Sequence, residues 1–116
     1  MNDYSVEITE KQGTCDNALL EKMLRNGDIT FKKLNELVDN VVEVYGYAVY
    51  KGTYNEKVNE YLLLDTDSGF IRTGSNLFRK TFNDYKDIIH IFNIRAIQCK
   101  KGISYKPEPI LVNSKN

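Results

Sequence analysis

The run VVEVYGYAVYK, residues 41–51, constrains the fold more than any other part of this chain. Apolar residues recur there at every second position, which is the period of a β-strand and not of a helix face. Val42, Val44, Gly46 and Ala48 would share the inward face, with Glu43, Tyr45, Tyr47, Val49 and Lys51 on the opposite one. Glycine weakens the middle of a strand. Gly46 makes sense where a long strand must bend sharply to serve both sheets of a barrel.

A hairpin and a helix come next along the chain. Lys51 to Asn59 is polar, contains Gly52 and Asn55, and reads as a mobile loop. Tyr61-Leu62-Leu63-Leu64 reads as a buried strand, Asp67-Ser68-Gly69 as a tight turn, and Phe70-Ile71-Arg72-Thr73 as the returning strand. Ser75 is placed to cap a helix on which Phe78, Phe82, Tyr85, Ile89 and Phe92 form one apolar stripe. The end of that helix stays open, because Ile91 to Cys99 also alternates as a strand. Lys100-Lys101-Gly102 is a turn, Ile103 to Tyr105 is extended, and Pro107 and Pro109 confine the last segment to an edge or a tail. Strand, strand, strand, helix, strand, strand is the order of a five-stranded OB-fold barrel with its helix between strands 3 and 4.

Upstream, Tyr4 to Thr9 alternates as a short strand with Tyr4, Val6 and Ile8 on one face. Asp16 can cap a short helix through Asn26, with Leu19, Leu20, Met23 and Leu24 as its apolar side and Gly27 as its stop. Thr30 can cap a second helical segment carrying Phe31, Leu34, Leu37 and Val38. The fold class is therefore mainly β with helices. The 116 residues form one domain with a single hydrophobic core: an N-terminal helical elaboration over 1–37, a barrel over 38–112 and a tail over 113–116.

Several functions are excluded by what the chain lacks. MNDYSVEITEKQG contains no apolar stretch of the signal-peptide kind, and no run approaches the roughly 18 apolar residues of a membrane helix. Cys15 and Cys99, with one histidine, make neither a zinc site nor a disulfide framework, so both read as reduced thiols of a cytoplasmic protein. His90 sits beside an apolar stripe with no serine, cysteine or aspartate at a recognisable spacing, which makes it structural. Asp65 to Gly69 lacks the glycine and the terminal glutamate of a calcium loop, and no Gly-Lys-Ser/Thr accompanies Gly69 and Gly74. No enzyme activity, cofactor or metal is expected.

The chemistry left to the chain is aromatic and basic. Eight tyrosines and five phenylalanines occur without a tryptophan. Tyr45, Tyr47, Tyr50, Tyr54 and Tyr61 lie on or near the first two barrel strands with Lys51 and Lys57 between them, and Arg72 stands on the third strand beside Phe70. Arg95, Lys100, Lys101, Tyr105 and Lys106 form a second group on the late hairpin. Exposed rings stack on bases at about 1–3 kcal/mol each while Lys and Arg follow the phosphates, so such a surface suits single-stranded nucleic acid of any sequence. Alternation leaves either Tyr50 or the pair Tyr45 and Tyr47 in the core. The formal net charge is zero, yet residues 1–68 hold seven Lys/Arg against thirteen Asp/Glu, and residues 69–106 hold eight against two. Local field rather than net charge steers a polyanion.

VVEVYGYAVYK, Asn55-Glu56-Lys57, the hairpin ending in GFIRTGS, the helix after it and the late KKGISYKP strand together resemble the small single-stranded DNA-binding proteins of bacteriophages, particularly phages of lactococci and related Gram-positive hosts. The similarity spans residues 38–112. It implies an OB-fold homodimer in the host cytoplasm that coats single-stranded DNA during phage replication and recombination, in company with phage or host recombination and replication proteins. It also implies DNA contacts from Tyr45, Tyr47, Arg72 and the basic late hairpin. PEPILVNSKN is not the acidic, phenylalanine-ended tail with which bacterial single-strand binders recruit partners, so tail-mediated recruitment is not implied. The alternative is a non-enzymatic protein-interaction module, a phage inhibitor or assembly subunit, that uses the same β-surface. Exposed Tyr and Arg serve protein interfaces equally well.

Overall fold

The structure, a computed structural model, describes residues 4–13, 16–100 and 102–111. In chain order its elements are β1 (Ser5–Gln12), α1 (Asn17–Asn26), β2 (Phe31–Lys32), a 3₁₀ turn (Leu34–Glu36), β3 (Val41–Tyr54), β4 (Lys57–Thr66), β5 (Gly69–Thr73), α2 (Asn76–Tyr85), β6 (Ile91–Cys99) and β7 (Gly102–Pro109). The strands make one curled, open sheet, a half-barrel, in the order β2-β5-β4-β3-β6-β7, with β1 also paired to β3. All pairings are antiparallel except the two-residue contact of β2 with β5.

The long strand β3 ties the sheet together. One of its edges runs along β4 from Val44 to Tyr54; the other is shared by β6, at Val41 to Glu43, and β1, at Tyr47 to Thr53. Between Val44 and Gly46 its register with β4 slips by one residue. A bulge of this kind exchanges the two faces of every residue beyond it. Val42 and Val44 before the bulge therefore share a core with Tyr47 and Val49 after it, while Ala48 and Tyr50 face the other way. The expected split, with Tyr47 outside and Ala48 on the face of Val44, holds only as far as the bulge. Gly46 also has a second reason to be glycine: a Cβ there would lie 2.6 Å from the backbone carbon of Gly13. The end of β1 presses directly on it.

Both faces of the sheet are covered. Val42, Val44, Tyr47, Leu62, Leu64 and Ile71 meet Phe78 and Phe82 of α2 and Phe92 and Ile94 of β6. On the opposite face Ala48, Tyr50 and Leu63 meet Val6 of β1, Leu20 and Leu24 of α1, and Ile29. Leu62-Leu63-Leu64 is an unbroken apolar run because its alternate residues serve different cores. Each such leucine contributes roughly 1.5–3 kcal/mol on full burial. The single core expected for the chain is thus two.

The caps follow the sequence. Asp16 accepts a hydrogen bond from Ala18 N–H at 2.8 Å, Gly27 ends α1 at φ 72°, and Ser75 Oγ accepts from Phe78 N–H. Three expectations fail. The apolar stripe from Phe78 to Phe92 is one core surface but two elements, since α2 stops at Tyr85 and Phe92 belongs to β6. Lys51 to Asn59 is not a loop: β3 and β4 continue to a two-residue turn at Asn55 and Glu56, whose φ values of 52° and 67° are those of a tight hairpin turn. The segment after Thr30 is not helical. Phe31 and Lys32 pair with Phe70 and Ile71, and the 3₁₀ turn then buries Leu34 and Leu37, so tertiary pairing prevails over a short amphipathic pattern.

Among the described residues, the β6–β7 hairpin pairs with the rest of the sheet at Val41 to Glu43, with further backbone bonds between Ile94 and Asp39 and Asn40. Ile103, near its turn, is 61% exposed. Among the described residues no helix is long and apolar enough to cross a membrane.

Candidate functional site

Arg72 lies at the centre of an open groove of about 510 Å³ on the α1 side of the sheet. Alternation sends Arg72 of β5 and its neighbour Leu63 of β4 to the same face, the one where Tyr50 and Tyr61 also stand opposite each other across β3 and β4. The guanidinium carbon sits 4.5 Å from the Phe31 ring centroid and 4.8 Å from that of Tyr61. One of its N–H groups points to the Tyr50 hydroxyl at 3.5 Å. Arg72 makes no ion pair among the described residues. Its charge is held by rings, and most of its five donors remain free.

The walls of the groove are aromatic. Tyr4 comes from the start of β1, Phe31 from β2, Tyr54 from the end of β3 and Tyr61 from β4, with Asn59 beside them. Tyr4 packs against Gly52, where a Cβ would come within 2.6 Å of its hydroxyl oxygen. Burial raises the pKa of Tyr4, against the pull of the Arg72 charge. Burial likewise pushes Tyr50 up to about 12, so beneath Arg72 it remains a neutral phenol.

A second groove of about 470 Å³ lies on the other face, between the sheet and α2. Four of its five charged residues are paired, and Lys80 is exposed at its edge. Arg79 of α2 bonds Glu60 of β4, and Lys86 bonds Glu10 of β1. Tyr47 donates its hydroxyl hydrogen to Glu10 at 2.7 Å, and its ring packs edge-on against Phe82. The bonds from Lys86 and Tyr47 hold the Glu10 carboxyl below its ordinary range; the same bond to Glu10 holds Lys86 above its own. Burial and the bond to Glu10 also raise Tyr47.

Of the residues expected to contact nucleic acid, the structure brings few together. Tyr47 is buried and spent on Glu10, leaving no ring face open. Tyr45 is 57% exposed, but loss of solvent and the carboxylates of Glu43, Asp67 and Asp65 raise its hydroxyl pKa, surroundings that repel a phosphate. Lys51 is exposed and stands opposite Glu7 and Glu60. Lys57 is exposed at the start of β4, on the face of Asn59 and Tyr61 by alternation. Arg95 and Lys106 are cross-strand neighbours on the β6–β7 hairpin, with Arg95 3.5 Å from Glu108 and Lys100 exposed at the turn. Tyr105 is half-buried against the α2-side core, and Lys101 and Cys15 lie outside the described residues.

Tyr4 and Phe31 were not among the expected contacts. The alternation of Tyr4, Val6 and Ile8 gave the right face, but nothing local shows that β1 lies along β3 with Tyr4 over Gly52. Phe31 reaches Arg72 through the β2–β5 pairing, a contact between residues far apart in sequence. Comparison with protein-family models, with curated proteins and with solved structures finds no match for this chain.

Proposed function

We propose that this protein binds single-stranded DNA with little sequence preference, without enzymatic chemistry, and that the Arg72 groove is the centre of the contact. The observation that carries this reading is a guanidinium with no carboxylate partner among the described residues, held over two rings in an open groove walled by two more. Rings offer stacking faces to any base, and free cations offer neutralisation to any phosphate. Lys57, on the face of Asn59 and Tyr61, and Lys100 and Lys106 of the late hairpin are exposed cations available to a phosphate backbone, and Arg95 is exposed beside Glu108. The order β3-β4-β5-α2-β6-β7, with β3 paired to both β4 and β6, supports a half-barrel of the OB type in which β3 is the first strand.

Titration with labelled oligo-dT and with duplex at two salt concentrations tests this function. Single strands are expected to bind more tightly, with affinity falling steeply as salt rises. Equal binding of duplex, or indifference to salt, contradicts it. A protein-interaction role is the second reading, favoured by the β6–β7 hairpin, which carries the exposed Ile103 away from both cores.

A further inference from the structure

The groove around Arg72 is unusual for a phosphate site in one respect. Among the described residues that line it, Arg72 is the only charged one, beside four aromatic rings and Asn59. A site built to follow a phosphate chain needs a row of cations, and those cations lie elsewhere on this molecule. Phe31 and Tyr61 hold the guanidinium carbon 4.5 and 4.8 Å from their ring centroids, one N–H of Nη1 is turned to the Tyr50 hydroxyl, and the other donors of the fork have no partner among the described residues.

We propose that Arg72 reads a base rather than a phosphate, and that the base is guanine, accepted through O6 and N7. This inference rests on the single-strand reading above and adds a preference at one nucleotide position. A bidentate arginine–guanine pair is coplanar. A base bonded to Arg72 therefore lies in the groove among the rings of Tyr4, Phe31, Tyr54 and Tyr61 that line it. A tetrahedral phosphate would gain the two hydrogen bonds but nothing from the rings. Thymine presents no pair of adjacent acceptors, adenine replaces O6 by a donor that faces the arginine N–H groups, and cytosine, whose unpaired edge offers N3 and O2, brings a smaller ring to the aromatic walls than guanine does. The remaining nucleotides are held by stacking and by the lysines, indifferent to sequence.

The test uses the whole protein and four fluorescein-labelled 15-mers measured by anisotropy. One is all dT; the others carry at the central position dG, 7-deaza-dG, which lacks the N7 acceptor, or deoxyinosine, which keeps both acceptors. The dG and inosine oligomers are expected to bind about tenfold more tightly than all-dT, and 7-deaza-dG to lose most of that gain. Arg72→Lys, which keeps the charge but not the fork, is expected to abolish the dG preference, weakening dG binding more than dT binding. Equal affinity for dG and 7-deaza-dG overturns the proposal. So does an Arg72→Lys variant that weakens dT and dG binding by the same factor, because that is the signature of a phosphate contact. Absence of binding to all four oligomers overturns the single-strand reading itself, a result distinct from binding without preference. The 7-deaza comparison uses only the unaltered protein and does not depend on how well the variant folds.

Discussion

The two grooves sit on opposite faces of one sheet and spend their charges in opposite ways. On the α2 side, Arg79 and Lys86 are bonded to Glu60 and Glu10, and the hydroxyl of Tyr47 is committed to Glu10 as well. These bonds join helix to strand and leave little for a ligand. On the α1 side, Arg72 has rings and no carboxylate, whereas Lys86 on the other face has both the Tyr47 ring and Glu10. A cation stabilised by π-faces keeps both its charge and its donors, whereas one paired with a carboxylate has used them. The contrast separates a face that holds the fold together from one poised to bind.

Substitutions on the two faces should therefore differ in kind. The largest effect belongs to the α2 side: Phe82→Ala removes a ring packed between Tyr47 and Phe92 and should lower unfolding free energy by about 3–5 kcal/mol in a denaturant melt. Arg72→Ala should do the reverse. Its stability cost is expected below about 1 kcal/mol, since an exposed cation–π contact is worth no more, while affinity for a dG-containing single strand drops about tenfold or more. A large stability loss with unchanged affinity would reverse the roles assigned to the two faces.

Glu10→Gln comes next, at about 1 kcal/mol, a charged hydrogen-bond network discounted for its partial exposure. Its pH dependence is the sharper signature. The folded-state pKa of Glu10 is lowered, so its stabilisation is present above the unfolded value of about 4.5 and is lost as pH falls through the folded one. Thermal melts from pH 6 to about pH 3 should show a shallower acid decline in the Gln variant than in the parent. The smallest effect lies at the β3–β4 turn. Glu56 holds φ at 67°, so Glu56→Gly should raise stability by up to about 1 kcal/mol with no change in the fold.

The parts of the fold visible in the sequence were those whose cause is local. Alternation marked β1 and β3, an unbroken apolar run marked β4, the turn at Asp67-Ser68-Gly69 marked β5, Asp16 and Ser75 marked their helices, and Arg72 was conspicuous as the cation on a hairpin rich in apolar residues. Tyr47 was misplaced because a one-residue bulge reverses the faces without altering composition. Phe31 was misplaced because a two-residue parallel pairing with β5 outweighed a helical spacing, and that pairing depends on where β5 lies. The aromatic groove was legible at Arg72, Tyr54 and Tyr61. Its other two rings, Tyr4 and Phe31, come from the N-terminal segment, brought in by tertiary contacts that no local period encodes.

Where a single strand lies on this molecule is the central question, and chemical-shift mapping answers it most directly. Titrating isotopically labelled protein with an unlabelled single-stranded 15-mer should perturb the Arg72 side-chain Nε–H and the ring signals of Tyr4, Phe31, Tyr54 and Tyr61, with Tyr47 and Arg79 unmoved. Shifts concentrated on the α2 groove around Tyr47 and Arg79, with Arg72 and its rings silent, would contradict the account.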